Sequence, residues 1–194
     1  MQHEAINQDF LESYIQEFYR LKSRFDLENY SYITEEEITG DELLFRCISD
    51  KENGGTYVAD KDYKARRIDL DLYSESLYTP QIKSKLIRFL ASKYPSASII
   101  RSGHWYYPPG EGMRWHTNAD TPYLRCYLNY SGNGDSYFKY YDQEQEKTVV
   151  SQDHRGWNLR TFEIGKQGKD LFWHSVYSNT DRISLGFRII NNLK

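Results

Sequence analysis

From Ser96 onward the chain is cut into short β-rich runs separated by gaps the size of a turn. The runs are Ser98–Tyr107, Leu124–Tyr130, Ser136–Tyr141, Asn158–Ile164, Leu171–Tyr177 and Ile183–Ile190. Clusters of Gly, Pro, Asn and Asp bound them, as in Pro108-Pro109-Gly110, Ser131-Gly132-Asn133-Gly134 and Asn179-Thr180-Asp181. Runs this close together favour an antiparallel sandwich or barrel. The first 95 residues read as its support. Between Glu4 and Phe25, Ile6, Phe10, Tyr14, Phe18 and Leu21 recur at spacings of three and four. Leu11, Ile15 and Phe25 widen them into the apolar stripe of an amphipathic helix. A second helix is predicted from Thr79, an N-cap followed by Pro80 at the first helical position. Ile82, Leu86, Ile87, Phe89 and Leu90 form its buried face, and Pro95 ends it. Residues 26–78 are polar and acidic with short apolar runs, Glu42–Ile48 and Thr56–Ala59, and read as short strands and loops. The expected architecture is α+β and mostly β, in a single domain over 1–194. Helices of a support region over 1–95 pack on one face of a β core over 96–194.

Composition bounds the function classes. With 194 residues, 39% apolar and 27% charged, a packed core is within reach and disorder is not expected. The net charge of −3 argues against a nucleic-acid partner. Cys47 and Cys126 stand far apart with no Cys-x-x-Cys, which excludes a disulfide framework and a thiolate zinc site and points to a reducing, cytoplasmic compartment. No apolar stretch is long enough to span a membrane, and the N-terminal MQHEAINQDF does not read as a signal peptide.

Two histidines stand out by their surroundings. His116 follows a turn in Gly112-Met113-Arg114-Trp115-His116-Thr117-Asn118, and His174 sits in the aromatic run Phe172-Trp173-His174-Ser175-Val176-Tyr177. Shortly after, Arg182 opens the last run. Alternation there puts Arg182, Ser184, Gly186 and Arg188 on one face and Ile183, Leu185 and Phe187 on the other. Two guanidinia on the inner face suit a cavity that holds an anion, because Arg pairs carboxylates bidentately.

These residues resemble a known family. Gly112–Arg188 is similar to the double-stranded β-helix core (a jelly-roll, cupin-like barrel) of the Fe(II)/2-oxoglutarate-dependent oxygenases, with the prolyl-hydroxylase-like branch nearest. The likeness runs over the last half of the chain, from Tyr106-Tyr107-Pro108-Pro109-Gly110 to Ile190. In that family a His-x-Asp turn and a distal His bind iron, and an Arg eight or nine residues beyond the distal His holds the far carboxylate of 2-oxoglutarate. The resemblance implies His116 and His174 as metal ligands and Arg182 as cosubstrate anchor. Tyr106, or alternatively Tyr107, would donate a hydrogen bond to the same carboxylate. Arg188 repeats the Arg-x-x-x-x-x-Arg spacing of the DNA-alkylation-repair branch, where the second Arg lies on the metal side. Gly134-Asp135-Ser136-Tyr137-Phe138 resembles a segment that usually reads Gly-Gly-x-Leu-x-Phe. The implied cofactors are Fe(II), 2-oxoglutarate and O2. The implied reaction is hydroxylation of a small-molecule or peptide substrate with decarboxylation of 2-oxoglutarate to succinate.

The chain departs from the pattern at the third ligand, where it reads His116-Thr117-Asn118. A neutral amide holds a dication less firmly than a carboxylate by several kcal/mol. Asn118 coordinates directly, Asp120 substitutes from two residues on, or water or an anion fills the position. The family's halogenating members carry Ala or Gly at this position, clearing space that Asn fills. The substitution motivates a competing reading, a non-catalytic module that binds a small carboxylate through Arg182 and Arg188. A cupin-like isomerase or hydrolase using another divalent metal ranks last. Taken singly, His174 reads as a core residue, Arg182 as a surface cation beside Asp181, and each tyrosine as packing. Asn118 alone reads as an Asx turn. His3, His104 and His154 read as surface or loop residues, Lys61–Arg67 as a solvated face, and Lys166–Lys169 as a hairpin loop. Trp105, Trp115 and Trp173 are expected to help exclude water. The sequence carries no signal for oligomeric state.

Overall fold

A computed structural model describes residues 1–25, 34–49, 67–118, 123–164 and 171–191. The chain opens with a short strand, β1 (Gln2–Ala5), and the amphipathic helix α1 (Asp9–Leu21) follows, extended by a 3₁₀ turn over Lys22–Arg24. The predicted helix therefore starts later than Glu4, because Gln2–Ala5 finds a partner strand near the far end of the chain. In the middle region Glu42–Ile48 is helical rather than extended. A capping box at Thr34 and Glu37 starts α2 (Glu35–Thr39), and α3 (Asp41–Ser49) buries Leu44 and Cys47, one helical turn apart. Thr56–Ala59 lies outside the described residues. A two-residue strand, β2 (Ile68–Asp69), leads into a 3₁₀ turn over Leu70–Tyr73 and the single-turn α4 (Ser74–Leu77). Helix α5 (Pro80–Lys93) begins as predicted, with the Thr79 hydroxyl accepting from Ile82 N and Pro80 in the first turn.

Eight strands then follow: β3 (Ala97–Tyr107), β4 (Glu111–His116), β5 (Leu124–Ser131), β6 (Ser136–Asp142), β7 (Lys147–Gln152), β8 (Gly156–Glu163), β9 (His174–Ser178) and β10 (Arg182–Asn191). Among the described residues they form two antiparallel sheets. One has the order β1-β8-β5-β10-β3-β2 and the other β4-β9-β6-β7. Over β3 to β10 successive strands alternate between the two sheets, except that β6 and β7 are consecutive in the small one, and this interleaving is the double-stranded β-helix. The sequence missed β4 and β7. Glu111–His116 is too mixed in polarity to signal a strand, and Lys147–Gln152 has a single apolar pair, Val149-Val150.

Period-two alternation gives each sheet an inner and an outer face. The outer face of the large sheet presents Tyr106, Leu128, Ile183, Leu185 and Phe187, and on it pack Leu11, Tyr14 and Phe18 of α1 with Leu86 and Leu90 of α5. The outer face of the small sheet is covered by α3, where Leu44 and Cys47 meet Trp115 and Trp173. Cys47 and Cys126 are both buried and form no disulfide. No helix among the described residues is long and apolar enough to cross a membrane. The inner faces enclose a cavity.

Candidate functional site

His116 ends β4 and His174 begins β9, and the two are paired across the sheet. Their ring centroids lie 4.0 Å apart. Each Nδ1 sits against a main-chain carbonyl two residues upstream, at 2.8 Å from Arg114 O and 2.9 Å from Phe172 O. A carbonyl only accepts, so each Nδ1 carries the proton and each Nε2 presents a lone pair. Burial pushes His116 down to about 4 against the opposing pull of its carbonyl bond, helped by the Arg67 and Arg125 guanidinia. Burial, then His116 and Arg125, holds His174 well below the usual histidine range. Both rings are therefore neutral near pH 7. Phe138 stacks on His174 at 5.2 Å, fixing its plane.

Asn118 follows with a φ of 56°, in the left-handed region that Asn tolerates better than most residues. That turn brings its amide back to His174, with Nδ2 donating to Nε2 at 3.2 Å. A half-turn of the amide would present Oδ1 instead. Two imidazole nitrogens and an amide oxygen are donors suited to a borderline divalent cation, and the Nδ1–H bonds are the orienting contacts such ligands use. The donor set fits a metal ion but brings no charge to balance it. Among the described residues no group of three or more His, Cys, Asp or Glu side chains could hold a metal. Asp120, the substitute ligand, lies outside the described residues.

The histidines and Asn118 line a cavity of about 270 Å³, together with Trp105, Tyr107, Met113, Arg125, Phe138, Val176 and Arg182. Arg182 is 1% exposed and does not pair with Asp181. Its Nε donates to Asp153 Oδ2 at 2.9 Å, while Arg160 Nη1 donates to Oδ1 at 2.9 Å and Ser136 Oγ to Oδ2 at 2.7 Å. Burial alone would raise the Asp153 carboxyl, but Arg182 and Arg160 outweigh it and hold it at about 2. Arg182 Nη1 has no hydrogen-bond partner. One carboxylate between two guanidinia leaves this cluster with an excess positive charge at the cavity wall.

Other expectations need correction. Tyr106 faces the outer core, where its hydroxyl donates to Asp181 Oδ1 at 2.7 Å, because alternation along β3 turns it away from Tyr107. Tyr107 is the tyrosine in the cavity. Arg188 lies on the same face of β10 as Arg182, but it is only half-buried and does not line the cavity. His104 is a buried residue of β3, held between Tyr78 and Phe187. Of the tryptophans, Trp105 reaches the cavity, whereas Trp115 and Trp173 belong to the cluster under α3. Of Lys61–Arg67 only Arg67 is among the described residues, and it is half-buried and lines the cavity. Lys166–Lys169 lies outside the described residues.

Asp153 and Arg125 were not singled out by the sequence, and Arg67 entered it only as the end of a solvated face. Alternation along β5, read as it was for the last strand, would have put Arg125, Tyr127 and Asn129 on one inner face. Asp153 gave no signal, since an Asp beside a Gly-containing turn reads as turn chemistry.

No protein-family profile matches the chain, and no curated protein sequence matches it. Some solved structures resemble it. A prolyl-4-hydroxylase from Pseudomonas putida aligns over 98% of this chain and 92% of its own, with 13% identity and a TM-score of 0.44. An oxalate oxidase aligns over 87% and 75%, with 13% identity and a TM-score of 0.33. A carbohydrate-binding module of a Cellvibrio mixtus lichenase, in complex with cellotriose, aligns over 51% and 89%, with 16% identity and a TM-score of 0.27. These likenesses assign no activity, and the architecture stands on the strand order itself.

Proposed function

We propose that this chain is a non-haem Fe(II)- and 2-oxoglutarate-dependent oxygenase that hydroxylates a small substrate. One observation carries the reading: a single cavity holds two neutral imidazoles with outward lone pairs and a buried guanidinium whose Nη1 has no partner. His116, His174 and, through Oδ1, Asn118 would hold the metal. When bound, iron supplies oxygen activation coupled to decarboxylation of the 2-oxo acid. Arg182 binds the far carboxylate of 2-oxoglutarate, kept in place by Asp153, with Tyr107 on the same rung of the sheet. Phe138, Val176 and Met113 form the apolar wall that keeps water from the reacting atoms.

A second reading has its own support. The absence of a carboxylate beside the two imidazoles, among the described residues, favours a non-catalytic module that binds a small carboxylate through Arg182. An anaerobic titration of metal-free protein with Fe(II) and then 2-oxoglutarate separates the two by the visible charge-transfer band of the chelate. The oxygenase reading expects a saturating band that is lost in His116→Ala and needs far more 2-oxoglutarate in Arg182→Ala. A band that forms only in Asn118→Asp supports the binding module. No band in either protein removes the cosubstrate reading altogether.

A further inference from the structure

Two asparagines share one rung of the large sheet, Asn158 on β8 and Asn129 beside it on β5. Asn158 is saturated by its surroundings. Its Oδ1 accepts from His154 N at 2.8 Å and sits 3.0 Å from His3 Nε2. Its Nδ2 donates to the main-chain oxygens of His154 and Gly156 at 2.8 and 2.9 Å. These bonds tie the turn before β8 and the strand β1 together. Asn129 is just as deeply placed, at 1% exposure, yet its Oδ1 has no hydrogen-bond partner. Asn is a poor strand former, and a buried carboxamide left unpaired costs stability. Packing therefore gives no reason for an Asn within β5, and its side chain lines the cavity.

The place of Asn129 in the cavity limits what it can meet. Asn129 pairs with Ser184 on β10, two residues along from the pair of Arg182 and Ser131. Two residues of strand span about 7 Å. Arg182 marks one end of the cavity on both sheets, because Asp153 ties it to Ser136. On the small sheet the rung of Ser136 and Ser178 is followed by Phe138 and Val176, and only then by His174. Asn129 and Ser184 thus stand between the guanidinium and the histidine pair, with the apolar Phe138 and Val176 across the cavity. A five-carbon diacid has four C–C bonds of about 1.5 Å in a zigzag, or about 5 Å between its carboxylate carbons. With one carboxylate on Arg182, its other end comes to the rung of Asn129.

We infer that Asn129 is a specificity-determining residue that reads the 2-oxo group of the cosubstrate, its Nδ2 donating to the oxo oxygen. Turning the carboxamide end for end brings Nδ2 to the place of the unpartnered Oδ1 without changing the shape of the side chain. This rests on the reading of Arg182 as the carboxylate anchor and deepens it: the chain selects a 2-oxo diacid with its own side chains, before any metal chelates it.

Ligand-observed NMR titration of the metal-free full chain with 2-oxoglutarate, 2-hydroxyglutarate and glutarate tests the assignment. The three share their length and both carboxylates and differ only at C2. 2-Oxoglutarate should bind more tightly than glutarate by about fivefold, the worth of one hydrogen bond. That margin should vanish in Asn129→Leu, which keeps the size and loses the amide, while glutarate still binds and so reports an intact site. Asn129→Asp presents only acceptors, so there 2-hydroxyglutarate, whose hydroxyl donates, should overtake 2-oxoglutarate. A merely structural Asn129 would produce no such inversion. Equal binding of 2-oxoglutarate and glutarate in the unmodified protein overturns the inference, and so does a margin that persists in Asn129→Leu. If Asn129→Leu does not fold, Asn129→Asp decides, and an unchanged order of ligands there overturns the inference. Equal binding of all three that is lost in Arg182→Ala removes the role of Asn129 and leaves the anchor standing. Binding of none removes the anchor, and this inference with it.

Discussion

An aspartate at position 118 would place a full negative charge within reach of the His174 lone pair, where Asn118 places only an amide dipole. The two side chains have nearly the same shape, so the exchange isolates the charge. Asn118→Asp should tighten Fe(II) or Mn(II) binding by more than tenfold, about 1.4 kcal/mol or more. Competition against a chelating dye measures it, and unchanged affinity would show that position 118 is not in the ligand set. Tyr106 and Tyr107 illustrate how little separates a core residue from a cavity residue. They are neighbours in a strand, so one must face α1 and the other the cavity. The sequence offered both, and only the register with β10 decides between them.

Elements show where local pattern suffices and where it does not. Helices α1 and α5 were legible because their apolar residues recur at three and four and because Thr79-Pro80 is a start signal on its own. Phe18 is fully buried against Tyr106 and Phe25. Truncating it to Ala should cost about 3–5 kcal/mol, a loss read from the urea midpoint at constant slope. A cost below 1 kcal/mol would mean that α1 does not hold the outer face of the large sheet. Helix α3 was misread because its apolar run is short enough to pass for a strand. Strands β4 and β7 were missed because their stability comes from neighbours, β9 on one side and β6 on the other.

Across the whole molecule, buried charge ties the two sheets together. Asp153 joins Ser136 of the small sheet to Arg160 and Arg182 of the large one. Removing its charge leaves two buried guanidinia without a counter-ion, so Asp153→Asn should destabilise the fold by about 3–5 kcal/mol. Thermal unfolding checks this, and an unchanged midpoint would mean that the pair contributes nothing net.

Acid should act in two windows. His104 is held at about 3 by burial and then Arg101, and His116 and His174 are also depressed. The unfolded chain therefore takes up protons below about pH 6.5 that the fold does not, and stability falls as pH drops from there, by up to about 1.4 kcal/mol per unit for each histidine. Asp153, depressed to about 2, adds stability above about pH 4 that is lost as pH falls towards 2. Urea midpoints of metal-free protein at pH 7.5, 6.5, 5.5 and 4.5 test the first window. A flat profile would contradict the buried neutral histidines.

The sequence by itself determined the β-rich second half, the two long helices and the His116, His174 and Arg182 signals, because periodicity, turn residues and motif spacing are local properties of the chain. Only the tertiary structure decided that Asp153 holds Arg182, that Arg125 and Arg67 join the cavity, and that Tyr106 leaves it. Those contacts join residues far apart in sequence, and sheet register and strand order, which no local pattern contains, bring them together.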